Sequence, residues 1–106
     1  MALLFVYGSL RRGSDNPHAR ALERDAVWLG PGSVRATVRM VGEYAALKLG
    51  GMSDVHGEVW EMPESMWDAL DEYEGEDYGR TTAGVKFEDG AVREVWIYFY
   101  IRDWPD

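Results

Sequence analysis

One glutamate stands apart from the other acidic residues because helical spacing directs it toward an apolar side. Residues 68–77 contain six carboxylates, and most of them lie in a segment, 63–74, whose apolar residues recur every three or four positions. At about 100° per residue, Glu74 falls between Leu70 and Trp67 on the apolar arc, and the other carboxylates of the helix lie outside it. Glu74 is therefore the acid whose side chain we expect to point toward the protein interior.

A carboxyl group in that position is suited to general acid–base catalysis. Desolvation, neighbouring negative charges and the C-terminal end of the helix dipole would each raise the pKa of Glu74. A pKa near neutrality lets a glutamate take up and return a proton at physiological pH. If the helix instead ends at Tyr73, Glu74 is an ordinary surface charge, and the spacing leaves both interpretations open.

A glycine-containing loop follows the first apolar run. The spacing of Gly8 and Gly13 is that of a phosphate-binding loop, but Ser14 and Asp15 stand where lysine and Ser/Thr are needed, so we reject a nucleotide site. Consecutive backbone N–H groups in such a turn can form a concavity that binds one carboxylate. The same glycines also suit a plain turn that ends a strand.

Other familiar chemistries lack their residues. The chain of 106 residues has no cysteine, which excludes thiol catalysis, disulfides and cysteine metal sites. His18 and His56 have no metal-ligand spacing, and no Gly-x-Ser-x-Gly elbow is present, so we expect neither a metal nor a hydrolase triad. The net charge of −8 opposes binding to nucleic acid phosphates.

Tyrosines are the remaining polar groups that could reach a pocket. Tyr44, Tyr78, Tyr98 and Tyr100 could each present a hydroxyl group, although aromatic residues more often serve packing. Arg80 is most simply one half of a structural ion pair.

The strands and helices predicted from the sequence indicate a small α+β fold in one domain, residues 1–106. Residues 3–7 are typical of a strand buried on both faces, Asn16 and Pro17 begin a helix that ends at about Arg24, and Gly30-Pro31-Gly32 indicates a break. Further strands are predicted at 34–40, 42–49, 55–62, 81–87 and 91–101, with a second helix at 63–74 before Gly75. About six strands and two short helices favour a sheet that curls into a small barrel.

The sequence also bears on the cellular location of the protein. No run approaches the roughly 20 apolar residues of a membrane helix, and no basic leader precedes residues 3–7. With no cysteine in the chain, we expect a cytoplasmic protein without a membrane segment.

Four sequence blocks, in order along nearly the whole chain, resemble the gamma-glutamylcyclotransferase-like family, in particular its small single-domain members and the gamma-glutamylamine cyclotransferases. Residues 4–13, LFVYGSLRRG, are similar to the N-terminal strand and YGSL loop of that family. Residues 42–47, GEYAAL, and 55–60, VHGEVW, are similar to two middle segments. Residues 70–75, LDEYEG, followed by Tyr78-Gly79-Arg80, resemble the last block.

The resemblance implies a mixed β-barrel with flanking helices and a reaction, intramolecular aminolysis of a γ-glutamyl amine or peptide that releases 5-oxoproline. It implies that Glu74 moves the proton and that the backbone amides of Tyr7, Gly8, Ser9 and Leu10 hold the α-carboxylate of the substrate. It further implies that Tyr44, Tyr78 and Tyr98 line the cavity. Neither a cofactor nor a metal is implied. Ala45 stands where proline is usual, a departure that bears on the substrate accepted.

Two other interpretations remain at this point. The same barrel could be a non-catalytic module that binds a small carboxylate, since a fold does not dictate a function. The chain could also form a homodimer through an exposed region around Trp96 and Trp104. The amine half of the substrate is not specified by the sequence.

Overall fold

The computed structural model describes residues 1–105, which fold into six strands and two α-helices. In chain order they are β1 (Ala2–Val6), α1 (Pro17–Asp25), β2 (Val27–Val41), β3 (Tyr44–Leu49), β4 (Ser53–Met62), a 3-10 turn (Glu64–Met66), α2 (Trp67–Glu74), β5 (Tyr78–Phe87) and β6 (Val92–Tyr100). Within these residues, neither helix is long and apolar enough to cross a membrane.

Five of the strands close into a barrel. The strand order is β3-β2-β4-β1-β6-β5, and β5 pairs back onto β2 at Gly32 and Ser33. β1 and β6 are parallel, and the other pairs are antiparallel, so the sheet is mixed. β3 pairs only with β2 and lies outside the closed ring. The predicted α+β fold, a mixed barrel with two short flanking helices, is confirmed.

The barrel wall is buried on both faces because two hydrophobic clusters share it. The first cluster fills the interior and contains Phe5, Val34, Ala36, Leu47, Val59, Val85, Val95 and Ile97. The second lies between the outer face and the helices and contains Ala2, Leu4, Val6, Leu10, Leu22, Trp60, Met62, Leu70 and Tyr98. Successive residues of β1 alternate between the clusters, which explains the continuous apolar run at its start.

The predicted break at Gly30-Pro31-Gly32 is wrong, because β2 runs without interruption through these residues. The register shifts between Trp28 and Gly30, so Leu29 is the extra residue of a bulge, and Gly30 and Pro31 resume regular pairing with Val59 and Glu58. At Gly32 an added Cβ would lie 2.8 Å from Val85 Cγ1. The glycine therefore permits the close approach of β2 and β5 that closes the barrel.

Both helices lie close to their predicted positions. Asn16 Oδ1 accepts hydrogen bonds from the backbone N–H groups of His18 (2.8 Å) and Ala19 (3.3 Å), which caps α1 as expected. α2 begins at Trp67, after the 3-10 turn, rather than at Pro63, and it includes Glu74. Gly75 ends it with a positive φ of 79°.

The tryptophans considered for a dimer contact are half-buried rather than exposed. Trp96 packs edge-on against Trp67 with ring centroids 5.7 Å apart, and Trp104 stacks on Tyr100 at 5.6 Å. Both rings serve packing within the chain, so the expected exposed region around them is wrong.

Gly57→Ala is expected to lower the free energy of unfolding by about 2–3 kcal/mol, because the new methyl group would overlap the Val6 carbonyl oxygen and the Phe5 ring. Gly84→Ala is the matched control, since its methyl group would meet only Val92 Cγ1, at 3.3 Å. Urea denaturation of both variants checks this. Equal losses in the two variants would contradict the claim that Gly57 is required for close packing of β1 on β4.

Candidate active site

A cavity of about 510 Å³ opens at one end of the barrel, where the loop after β1, the β2–β3 turn and the end of α2 meet. It is lined by Phe5, Val6, Tyr7, Gly8, Ser9, Leu10, Arg11, Ser14, Met40, Glu43, Tyr44, Ala45, Glu74 and Tyr98. The structure thus brings the helical glutamate and the glycine loop, which are more than sixty positions apart in the chain, to one enclosed space.

Glu74 reaches this cavity because α2 continues to its position. Leu70, one turn earlier, is buried in the outer cluster, so the same helix face carries Glu74 inward at the barrel end. Within residues 1–105 its carboxyl group makes no hydrogen bond or ion pair.

Burial raises the pKa of Glu74 to about 7. Neighbouring charges were also expected to contribute, but Glu72, Glu76 and Asp77 are exposed and solvated, so desolvation is the cause. A carboxyl group in this state exchanges a proton readily near neutral pH.

The loop after β1 lines the same cavity and contains backbone donors without a partner. Gly8 O accepts a hydrogen bond from Arg11 N–H at 3.1 Å, which closes a tight turn. The N–H groups of Gly8, Ser9 and Leu10 make no hydrogen bond to any other group of residues 1–105. Neighbouring amides with free hydrogens in a turn suit an anion such as a carboxylate.

Tyr7 stays a neutral hydroxyl donor beside Glu74. Its Oη donates to the backbone oxygen of Tyr98 at 2.9 Å. Burial, and next to it the charge of Glu74, hold the pKa of the Tyr7 phenol well above its usual range. The parallel pairing of β1 with β6, which matches Phe5 with Ile97, brings Tyr7 close to the backbone of Tyr98, although the two side chains belong to opposite faces of the wall.

Tyr98 lines the cavity, but its hydroxyl group is directed elsewhere. Tyr98 Oη donates to Asp71 Oδ1 at 2.7 Å, and Arg80 Nε donates to the same oxygen at 3.0 Å. Arg80 also stacks on Trp67, 4.0 Å from the ring centroid. Asp71 therefore fastens α2 to β5 and β6, and the ion pair expected for Arg80 is present.

The other two predicted tyrosines differ in position. Tyr44 lies at the cavity wall and is largely exposed, which places it at the mouth. Tyr78 is not among the residues that line the cavity, but its hydroxyl group contacts the wall residue Ala45, so its part in the site stays a prediction. Its hydroxyl group donates to the backbone oxygen of Ala45 at 3.3 Å and supports the start of β3 behind the wall. Burial, followed by the charge of Glu74, raises the pKa of Tyr78.

A hydrogen-bonded chain that the sequence did not reveal connects the loop to both helices. Asn16 Nδ2 donates to Tyr73 Oη at 2.9 Å, and Tyr73 Oη lies 2.6 Å from Ser9 Oγ. The ring of His18 packs on Tyr73 with centroids 4.5 Å apart. Asn16 was identifiable as a helix cap and Tyr73 as an apolar-face residue, but their meeting at Ser9 depends on the tertiary fold.

Arg11, Ser14, Met40 and Glu43 also line the cavity and were not anticipated as site residues. Residues 1–105 bring no group of three or more His, Cys, Asp and Glu side chains together in a way that could hold a metal ion.

Comparison with known proteins points to one family. Residues 4–106 match the family described as gamma-glutamyl cyclotransferase, AIG2-like. The Drosophila melanogaster protein named "Putative gamma-glutamylcyclotransferase CG2811" is 30% identical over 115 residues, which cover 99% of this chain and 73% of that protein. The Methanocaldococcus jannaschii protein named "Putative gamma-glutamylcyclotransferase MJ1514" is 31% identical over 104 residues, which cover 94% of this chain and 85% of that protein.

Solved structures share the same fold. The crystal structure of an AIG2-like protein from Mus musculus is 28% identical, with a TM-score of 0.81, over 99% of this chain and 80% of that chain. YkqA from Bacillus subtilis is 24% identical, with a TM-score of 0.79, over 94% of this chain. The present chain spans only 36% of that structure.

Glu74→Gln is expected to stabilise the protein at pH 8 and to have little effect at pH 4.5. The pKa of Glu74 is about 7 in the folded protein and 4.5 in its ordinary state, so stability present below pH 4.5 is lost as the pH rises through 7. Glutamine removes that cost, by about 1–2 kcal/mol at pH 8, because a half-buried carboxyl group keeps part of its solvation.

Thermal and urea denaturation at the two pH values check this, with the exposed Glu72→Gln as the matched control. A Glu74→Gln effect of the same size at both pH values would show that the carboxyl group is not desolvated.

Proposed function

The chain belongs to the gamma-glutamyl cyclotransferase, AIG2-like family, and from this premise we propose that it releases 5-oxoproline and an amine from a γ-glutamyl amine or peptide. The reaction is an intramolecular aminolysis in which Glu74 acts first as general base and then as general acid. One observation carries the proposal. A half-buried, unpaired carboxyl group with a pKa of about 7 lines the same cavity as the donor loop of residues 8–10.

Substrate binding follows from the groups on either side of the cavity. The α-carboxylate of the glutamyl group accepts hydrogen bonds from the amides of Gly8, Ser9 and Leu10, which have no other acceptor within residues 1–105. Its α-ammonium group then faces Glu74, whose ionised form attracts it. A volume of about 510 Å³ is in the range of small-ligand pockets and accommodates a glutamyl group.

The proton path is short and balanced. The Glu74 carboxylate takes a proton from the α-ammonium group, and the freed amine attacks the γ-carbonyl carbon to form a five-membered tetrahedral intermediate. Glu74 then gives that proton to the departing nitrogen, and the bond between the γ-carbon and that nitrogen breaks. The nitrogen of the new ring still carries a second proton to be lost, which the Glu74 carboxylate accepts and passes to the released amine. 5-Oxoproline and the ammonium form of the amine leave, and Glu74 ends as a carboxylate, so no co-reactant is required.

Positioning accounts for much of the expected rate enhancement. The nucleophile and the carbonyl group belong to one molecule, so the site needs only to hold a conformer in which they are in contact. The chain Asn16–Tyr73–Ser9 and the contacts of Asp71 with Tyr98 and Arg80 fix the loop and α2 relative to each other. These contacts supply the rigidity that a reactive conformer requires.

The alternative, a non-catalytic module that binds a carboxylate, is less consistent with the site. An ionisable carboxyl group beside an anion-binding turn would repel such a ligand whenever it is charged. A carboxyl group at this position is compatible with such a ligand only if the ligand also carries a cationic group, from which Glu74 can accept a proton.

Glu74→Gln is expected to abolish 5-oxoproline release, since the amide cannot accept the ammonium proton; general acid–base catalysis contributes about 10²–10⁴-fold. Glu72→Gln, which changes an exposed acid on the same helix, is expected to retain wild-type turnover. A panel of γ-glutamyl amines and peptides, with 5-oxoproline quantified by mass spectrometry, provides the measurement. Wild-type turnover in Glu74→Gln would remove Glu74 from the mechanism.

The kcat/KM of the wild-type enzyme is expected to rise with pH across an acidic limb centred near pH 7, because Glu74 must be ionised to act as base and its pKa is about 7. A glutamate at its ordinary pKa would already be ionised at pH 6 and would give a flat profile from there upward. Rates measured from pH 5.5 to pH 8 with saturating and limiting substrate distinguish the two cases.

A further inference from the structure

One wall of the cavity belongs to a part of the sheet that the closed barrel does not hold. β2 pairs with β4 only as far as Ala36, and from residue 37 onward it pairs, among the described strands, with β3 alone. Residues 37–49 therefore form a two-stranded ribbon that projects beyond the ring. Such a ribbon is marginally stable in water unless it packs on something else. It carries four residues of the cavity wall, Met40, Glu43, Tyr44 and Ala45.

Two cations of this ribbon lie beside the ring of Trp104. The ring centroid is 5.0 Å from Arg39 Cζ and 5.1 Å from Lys48 Nζ, and both distances are within the range of cation–π attraction. Within residues 1–105, neither cation has a salt-bridge partner, whereas five arginines elsewhere do. The Trp104 ring is therefore the group that holds both of them.

The face of the ribbon that carries the two cations is covered. Ala46 pairs with Arg39 and lies two positions before Lys48, so the three residues share one face. Ala46 is fully buried, although Arg39 opposite it is exposed. Trp104 is half-buried, whereas its neighbours on both sides are exposed. Trp104 is thus the residue that anchors an otherwise exposed tail against this face.

A column of aromatic rings fixes Trp104 to the barrel. Trp104 stacks on Tyr100 with ring centroids 5.6 Å apart and an interplanar angle of 21°, and Tyr100 packs on Tyr78, also at 5.6 Å. Tyr78 and Tyr100 are paired residues of β5 and β6. Tyr78 Oη donates to the backbone oxygen of Ala45 in the ribbon. The column therefore holds the ribbon at two points, one at Ala45 and one at its two cations.

We propose that Trp104 is a positioning residue for the active site, which holds the ribbon against the barrel and so keeps the wall at residues 40–45 in place for substrate binding. The inference rests on the proposed function. Trp104 does not line the cavity, and Glu74 and the donor loop are carried by α2 and β1 rather than by the ribbon. Its effect is therefore on substrate binding and not on proton transfer.

Trp104→Ala is expected to raise the KM by about 3- to 10-fold, because the loss of two cation–π contacts and a ring stack increases the fraction of molecules whose ribbon is displaced. The kcat is expected to change by less than about twofold, since Glu74 keeps its position. Trp104→Phe retains a ring and is expected to recover most of the lost affinity. The measurement uses the γ-glutamyl compound that the wild type turns over fastest.

The cations are tested by Arg39→Gln combined with Lys48→Gln, which is expected to raise the KM in the same direction by a smaller factor. Arg93→Gln is the matched control, because Arg93 also lies over an aromatic ring, 5.5 Å from the centroid of Phe87, and neither of these residues lines the cavity. An unchanged KM in Trp104→Ala, a fall in kcat with KM unchanged, or an equal rise of KM in Arg93→Gln overturns the assignment.

Hydrogen exchange provides an arm that needs no substrate. In Trp104→Ala the amides of residues 37–49 are expected to exchange about 3- to 10-fold faster than in the wild type, with those of β1 and β4 unchanged. If the wild type releases 5-oxoproline from no γ-glutamyl compound, the proposed function fails, and the exchange rates still decide whether Trp104 holds the ribbon. Unchanged exchange in the ribbon, or faster exchange spread evenly over the barrel, rejects that role.

Discussion

The burial of one ionisable group at the end of a short helix is the constraint on which the rest of the site depends. Glu74 is half-buried against the cavity walls, and the fold gives it no hydrogen-bonding partner within the described chain. Desolvation without compensation costs folding stability, and it brings the pKa of the carboxyl group to about 7. Stability elsewhere must offset that cost. The two hydrophobic clusters on either side of the barrel wall supply it.

The barrel wall also determines the position of the cavity. β1 and β6 are parallel neighbours in the barrel wall. In each strand, alternate side chains point to the barrel interior and toward the helices. Directly after β1, Tyr7 meets the backbone of Tyr98, and the chain turns at Gly8. α2 packs on the outer face through Leu70 and arrives at the same end. Glu74 and the turn at residues 8–10 thus meet because both are anchored to one pair of strands.

Much of this arrangement was accessible from the sequence, because it depends on local periodicity. The angular position of Glu74 relative to Leu70 and Trp67 indicates an inward direction once the helix reaches it, and Asn16 marks the start of α1. What failed depends on long-range packing. The glycines at 30 and 32 were interpreted as a break because their roles, the return to pairing after a bulge at Leu29 and a close approach to Val85, exist only when the barrel closes. Likewise, the direction of the Tyr98 hydroxyl group is set by Asp71 on another element.

The position of β3 outside the closed ring has a consequence for how substrate range can change. Met40, Glu43, Tyr44 and Ala45 form one wall of the cavity, yet they belong to a hairpin whose second strand pairs only with β2. Residues there can be exchanged, inserted or removed without breaking any strand pair that closes the barrel. The shape of the cavity mouth can therefore change while the closed barrel stays intact. Changes in this hairpin can therefore alter which substrates enter, while the loop after β1 and the end of α2 keep their positions.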